Sequence, residues 1–377
     1  MKKITVRAKF GPKAKDDGMS ETGSTKGSRK SSKIPDFEIG GKKVSPGTRQ
    51  IVDIPISLLS NHTPVNLTVN VVNGKRPGPV LFVSGAVHGD EIVGVEVIRR
   101  VLKSPALRGM RGTLLAVPVV NAFGFLNHTR YLPDRRDLNR CFPGHARGSL
   151  AAQLAHLFLT EIVERSDFGI DLHSAAVNRV NLPQIRVNED DPEIMEYAEA
   201  FGAPIILTSP LREGSLRQAA REIDVPILLF EAGEGLRFDE MSIRAGVSGV
   251  LRVMRKLGMI SQRTVREPRL PSFRSSNSHW LRAPVGGLLR TFKLAGEFVY
   301  AGDVVAAVAD PFGQTDEEVL ARDDGLIIGR TNHPIVNQGD ALFHIASIKR
   351  HSEVQERMDA IEIHLQSDPL LDEDEII

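Results

Sequence analysis

Pro79-Val-Leu-Phe-Val-Ser84 is a continuous apolar run. It passes into Gly85-Ala-Val-His-Gly-Asp-Glu91, and a helical pattern from Ile92 to Leu102 follows directly. An apolar run of this length, bounded by turn residues, reads as a central strand buried on both faces. Upstream, Ile51-Val-Asp-Ile-Pro-Ile56 and Val65-Asn-Leu-Thr-Val-Asn-Val-Val72 alternate with period two and predict half-buried strands, with turn chemistry in Asn73-Gly-Lys-Arg-Pro-Gly78. Downstream, strand patterns at 112–120, 168–173, 203–208 and 225–231 alternate with helical patterns at 150–165, 191–201, 215–223 and 241–257. Strands alternating with helices imply an α/β sheet covered on both faces, with functional residues expected at the carboxyl ends of its strands.

Residues 259–278 are polar and rich in Arg, Pro and Ser, and read as a linker. Beyond it the composition shifts to short strands and turns. A local pattern recurs there, in Val299-Tyr-Ala-Gly-Asp-Val-Val-Ala-Ala-Val308 and Val336-Asn-Gln-Gly-Asp-Ala-Leu-Phe-His-Ile345. Each is an apolar residue, a Gly-Asp turn and a returning strand, which resembles the sandwiched hairpins of biotinyl and lipoyl carriers. The turn region Ala321-Arg-Asp-Asp-Gly325 holds no lysine to modify, so residues 279–348 read as a structural all-β domain, with Trp280 in its core.

The chain has 377 residues, a formal net charge of +1, 41% hydrophobic and 25% charged residues. This is the composition of an ordinary globular protein. The balance argues against wholesale nucleic-acid binding, and no apolar run is long enough for a transmembrane helix. The basic start lacks an apolar stretch behind it and does not read as a secretory signal. Cys141 is the single cysteine, which excludes an intrachain disulfide and a thiolate metal cage. A cytoplasmic location is expected.

The charge sits at the ends. Residues 1–34 hold ten Lys/Arg and three Asp/Glu, and residues 351–377 hold one Arg and nine Asp/Glu. The expected organisation is a disordered basic arm over 1–45, a catalytic domain over 46–258, the linker, the β domain and an acidic tail over 349–377, with a short helix at 353–365. The oppositely charged ends can pair within a chain or between chains, which leaves homo-oligomerisation open.

Four segments place polar residues where strands end. His88 and Glu91, three apart in a turn entering a helix, can face one metal ion. His173, at the end of Ile170-Asp-Leu-His173, adds a ligand from far along the chain. Two imidazoles and one carboxylate with an open fourth position is the catalytic zinc arrangement. Asp171 shares a strand face with His173 and can support it. The loop Asn121–Gly144 is rich in arginine, which offers bidentate recognition of a carboxylate. Glu231 ends an apolar strand, where a carboxylate is costly to bury without a task or a partner.

Taken together and in order, His88-Gly-Asp-Glu91, Asp137-Leu-Asn-Arg140 with Phe142-Pro-Gly144, Asp171-Leu-His173 and Phe230-Glu231 resemble the succinylglutamate desuccinylase/aspartoacylase family, of the zinc carboxypeptidase superfamily. The resemblance spans about residues 50–348. It implies a mixed sheet with helices on both faces followed by a small all-β domain, and a zinc-dependent amidohydrolase acting on a small N-acyl amino acid. It further implies one Zn²⁺ per chain on His88, Glu91 and His173, with Glu231 as general base and Asn139 and Arg140 on the substrate carboxylate. Arg130 matches the oxyanion donor, with Arg135 and Arg136 as rivals. Arg221, or Arg217, is placed to meet a second carboxylate. A zinc carboxypeptidase acting on peptides and a metal-bearing regulatory protein without activity are the alternatives. The first uses the same residues, whereas the second does not require all of them.

Overall fold

The computed structural model describes residues 34–188, 192–348 and 354–367. The first 33 residues and the acidic run at 372–375, on which the reading of the charged ends rests, lie outside them. Within the stretch expected to be an unstructured arm, Phe37–Ile39 and Lys42–Val44 pair as a short antiparallel hairpin. The reason is apolar: Ile39 and Val44 are fully buried in one cluster with Val52 and Ile54.

The strands that matter for the site are β1 (Thr48–Leu58), β2 (Pro64–Asn73), β3 (Arg76–Gly85), β4 (Arg111–Val117), β5 (Phe168–His173), β6 (Arg179–Val187), β7 (Ile205–Thr208) and β8 (Ile227–Gly233). The helices between them are α1 (Val93–Lys103), α2 (Leu150–Phe158), α3 (Pro192–Phe201), α4 (Leu216–Glu222) and α5 (Glu240–Lys256). Three strands from the C-terminal region, β9 (Ser278–Arg282), β10 (Gly325–Thr331) and β11 (Ala341–Ser347), join the same sheet. Across it the order is β9–β11–β10–β6–β8–β5–β3–β4–β2–β1. Strands β4, β3, β5 and β8 are parallel, and the rest of this path is antiparallel, so the sheet is mixed.

Alternation along β3 sends Leu81 and Val83 to one face and Phe82 to the other. Leu81 and Val83 join Val97 and Val101 of α1 and Val250 and Leu251 of α5. Phe82 joins Leu154, Phe158 and Ile162, and meets the Phe158 ring edge-on at 5.9 Å. A Cβ at position 169 would lie 2.2 Å from the Phe82 ring, so Gly169 makes room for it. Ser149, Ser215 and Asp239 start α2, α4 and α5, each side chain accepting from a backbone N–H three residues on.

In the C-terminal region a second, four-stranded antiparallel sheet orders Asp316–Leu320, Val304–Ala309, Gly287–Thr291 and Ile335–Val336. Its Leu289, Val305 and Val308 pack with Ile327, Leu342 and Phe343 of the large sheet. The recurring sequence pattern folds the same way twice. Asp303 Oδ2 accepts from Tyr300 N at 3.0 Å and Asp340 Oδ2 from Asn337 N at 2.8 Å, with Gly302 and Gly339 at positive φ. Beyond β11, Val354–Ser367 is a helix, close to the one read at 353–365. Among the described residues no helix is long and apolar enough to cross a membrane.

Candidate active site

The turn between β3 and α1 carries His88 and Glu91, and the carboxyl end of β5 carries His173. These strands are parallel neighbours, so the three side chains converge. A Cβ at Gly89 would sit 1.9 Å from the backbone of Gly124, so only glycine lets the turn approach that closely. Both imidazoles turn Nδ1 onto Glu91, His88 to Oε1 and His173 to Oε2, each at 2.6 Å. One ligand atom from each residue lies within 4.8 Å of the other two, and all three residues are buried.

The far nitrogens are also taken. His173 Nε2 meets Asp171 Oδ2 at 2.7 Å, and Ser84 Oγ donates to the other Asp171 oxygen at 2.8 Å. His88 Nε2 meets Asp137 Oδ1 at 3.1 Å. Burial opposes charge on both imidazoles, but Asp171, Glu91 and Asp137 outweigh it and hold both above the ordinary histidine value. Burial likewise opposes the Glu91 and Asp137 carboxylates. Their cationic neighbours prevail, and both are held well below the usual range.

Around this group lies a cavity of about 390 Å³, walled by seven arginines against three carboxylates, Glu91, Asp171 and Glu231. Glu231 stands directly opposite His173 in the parallel β8–β5 register. Asn139 and Arg140 line the cavity from a single helical turn that Asp137 caps through Asn139 N at 2.9 Å. Asn139 Oδ1 accepts from Leu216 N at 2.8 Å, which ties that turn to the start of α4. Arg130 also lines the cavity, donating to Glu91 Oε1 at 3.0 Å and Asp137 Oδ2 at 2.9 Å.

The remaining arginines divide. Arg217 is in the cavity wall, where burial and then the Arg186 charge lower its pKa to about 10. Arg135, Arg136 and Arg221 are outside the lining; Arg136 faces Asp134 at 3.9 Å and Arg221 is exposed. Sequence reasoning missed Arg179, Asn181 and Arg186, all on β6, a strand it did not identify. It also read Trp280 as core. The ring lines the cavity, stacked on His344 at 4.6 Å, with the Arg179 guanidinium 5.4 Å from its centroid.

Comparison with known proteins agrees with this architecture. Residues 77–257 match the family model described as the succinylglutamate desuccinylase/aspartoacylase catalytic domain. The N-alpha-acetyl-L-2,4-diaminobutyric acid deacetylase of Halomonas elongata is 28% identical over 296 residues, covering 75% of this chain and 86% of the relative. A succinylglutamate desuccinylase/aspartoacylase structure from Rhodobacter sphaeroides superposes with a TM-score of 0.70 at 25% identity, over 80% of this chain and 96% of that one. The product-bound ectoine utilization protein EutE (DoeB) of Ruegeria pomeroyi shares the fold, with a TM-score of 0.71 at 22% identity over 80% and 95% of the two chains. The catalytic-domain match, the deacetylase relative and the solved structures all point the same way: the chain resembles the deacylating enzymes of the succinylglutamate desuccinylase/aspartoacylase family.

Proposed function

We propose that this protein hydrolyses the amide bond of an N-acyl amino acid, using a zinc ion on His88, Glu91 and His173 and Glu231 as general base. The observation that carries the reading is the convergence of that ligand group and Glu231 in one arginine-walled cavity. The donor set fits the metal: two neutral-capable imidazoles and a carboxylate, each imidazole backed at its far nitrogen by an aspartate that fixes its tautomer. A bound zinc ion would acidify a water and polarise the scissile carbonyl.

The chain's own residues do the rest. Glu231 takes the water's proton and returns it to the leaving amine nitrogen. Asn139 and Arg140 hold the substrate carboxylate, and Arg130 donates to the oxygen on which charge develops. The cavity volume suits a small substrate, and Trp280 and Arg330 in its wall favour that over an extended peptide.

The charge of the wall narrows the substrate further. Glu91 and Asp171 are engaged by histidines and one oxygen of Glu231 by Asn181 and Arg186, so the seven arginines of the wall face a single open carboxylate oxygen, the one assigned to the base. The Halomonas relative is named for a substrate that carries a second amine. Here the wall, with Arg212 and Arg217 beyond the pair at Asn139 and Arg140, favours a substrate with more than one carboxylate.

The test is metal content together with hydrolysis of a panel of N-acetyl and N-succinyl amino acids by wild type and Glu231→Ala. The expected result is about one zinc per chain, acidic substrates preferred, and activity abolished by the substitution with zinc retained. A zinc-free protein, or activity untouched by the substitution, would overturn the reading.

A further inference from the structure

Asn181 Nδ2 and Arg186 Nη2 donate to the same oxygen of Glu231, Oε2, at 2.7 and 3.0 Å. Among the described residues no hydrogen-bond donor reaches Oε1. One oxygen of the carboxylate is anchored twice and the other is left open.

Residues 181 and 186 would face opposite sides of a regular strand. They reach one carboxylate because the β6–β8 register slips. Glu231 opposes Gln184 and Gly233 opposes Asn181, so β6 spends three steps where β8 spends two. The extra residue is a bulge, which turns Asn181 to the face that holds Arg186. A further cost is accepted for this arrangement. Arg186 Nε is buried with no partner, and the Arg217 guanidinium close by carries the same charge.

We infer that Asn181 and Arg186 are positioning residues that lock the rotation of the Glu231 carboxylate and present Oε1 as its working oxygen. The inference rests on the deacylase reading only for the task Glu231 performs; the clamp itself is geometric. A base held this way has no freedom to turn its proton-accepting oxygen away from the water. Arg186 acts here through Glu231 rather than on substrate, which separates it from the other arginines of the wall.

The experiment has a kinetic and a structural arm. Asn181→Ala, Arg186→Ala and Arg186→Lys are assayed on the best N-acyl amino acid of the wild-type panel, and crystal structures of Asn181→Ala and Arg186→Ala are determined. The expected result is kcat lowered by about 100-fold, the scale of a reacting group displaced by an ångström, with KM and metal content unchanged. Arg186→Lys should recover part of the loss, and the Glu231 carboxylate should leave its rotamer. If Arg186→Ala does not fold, Asn181→Ala, a smaller change, carries both arms. A raised KM with kcat intact would make Arg186 a substrate ligand and overturn the inference. So would a Glu231 side chain that stays in place without either partner. A released Glu231 in a protein whose wild type hydrolyses no N-acyl amino acid would uphold the clamp and overturn the deacylase reading.

Discussion

Asp137 and Asp171 each take the far nitrogen of one site histidine. Removing such a carboxylate frees the ring to rotate and lowers its basicity as a ligand. Asp137→Ala and Asp171→Ala should each weaken metal retention by about 10–100-fold, measured by competition with a chelator. His344, behind Trp280, titrates in the opposite sense to the two site histidines. Burial, aided by the Arg186 and His279 charges, lowers its pKa to about 3 from an ordinary value of 6.5. The unfolded chain therefore binds this proton first. The stability held above pH 6.5 is lost progressively as the pH falls toward 3. Urea unfolding at pH 7 and pH 5 should show a larger drop for wild type than for His344→Phe, which keeps an aromatic ring beside Trp280 and has no proton to gain.

At the scale of elements, α1 and α5 are joined by Arg100, whose side chain is 5% exposed. Its Nε donates to Glu96 at 2.8 Å, and Nη1 and Nη2 donate to the two oxygens of Glu240 at 2.8 Å each. Burial opposes both carboxylates, but the arginines of the network hold them below 4.5. Arg100→Met removes a partner of Glu240 and one of two arginines on Glu96, which keeps Arg99 at 2.6 Å, and should cost about 2 kcal/mol at pH 7. That difference should shrink as the pH falls below about 4.5 and the carboxylates take protons.

The elements also show what a sequence makes legible. Strands β3, β4 and β8 contain continuous apolar runs, β5 alternates apolar residues up to Asp171 and His173, and β1 and β2 alternate cleanly, so each was readable. Strand β6 was not. Val180 and Leu182 keep one phase, Ile185 and Val187 keep the other, and Pro183 stands between them. The bulge that breaks the alternation is the same feature that gathers Asn181 and Arg186 on Glu231, so the strand and the clamp were lost together. The candidate metal ligands were legible because a short turn motif, His88 to Glu91, and a strand end, His173, carry them. The arginines were less so. Spacing along a loop or a helix does not tell which side faces the cavity, and Arg217 faces it while Arg136 and Arg221 do not.

At the scale of the whole molecule, the arginine-walled cavity is a field as well as a set of contacts. For a dicarboxylic substrate kcat/KM should fall as ionic strength rises and the Debye length shrinks from about 30 Å at 0.01 M to about 8 Å at 0.15 M. A monocarboxylic analogue assayed alongside should respond less, and equal slopes for the two would remove the charge argument.

Strand β6 has β8 on one side from Asn181 to Arg186, but on the other it is shared. Its first residues, Arg179 to Asn181, pair with β10, and from Gln184 onward it pairs with β7. Asn181, one half of the grip on Glu231, thus lies opposite Gly329, nearly 150 positions further along the chain. The candidate metal ligands and both halves of the grip on Glu231 lie before residue 258, so a gene fragment ending there would carry all of them. What it would lack is the strand that braces the edge of β6 at Arg179 to Asn181. For a ribosome this means that the last part of the protein to emerge covers an edge that the first part has already built.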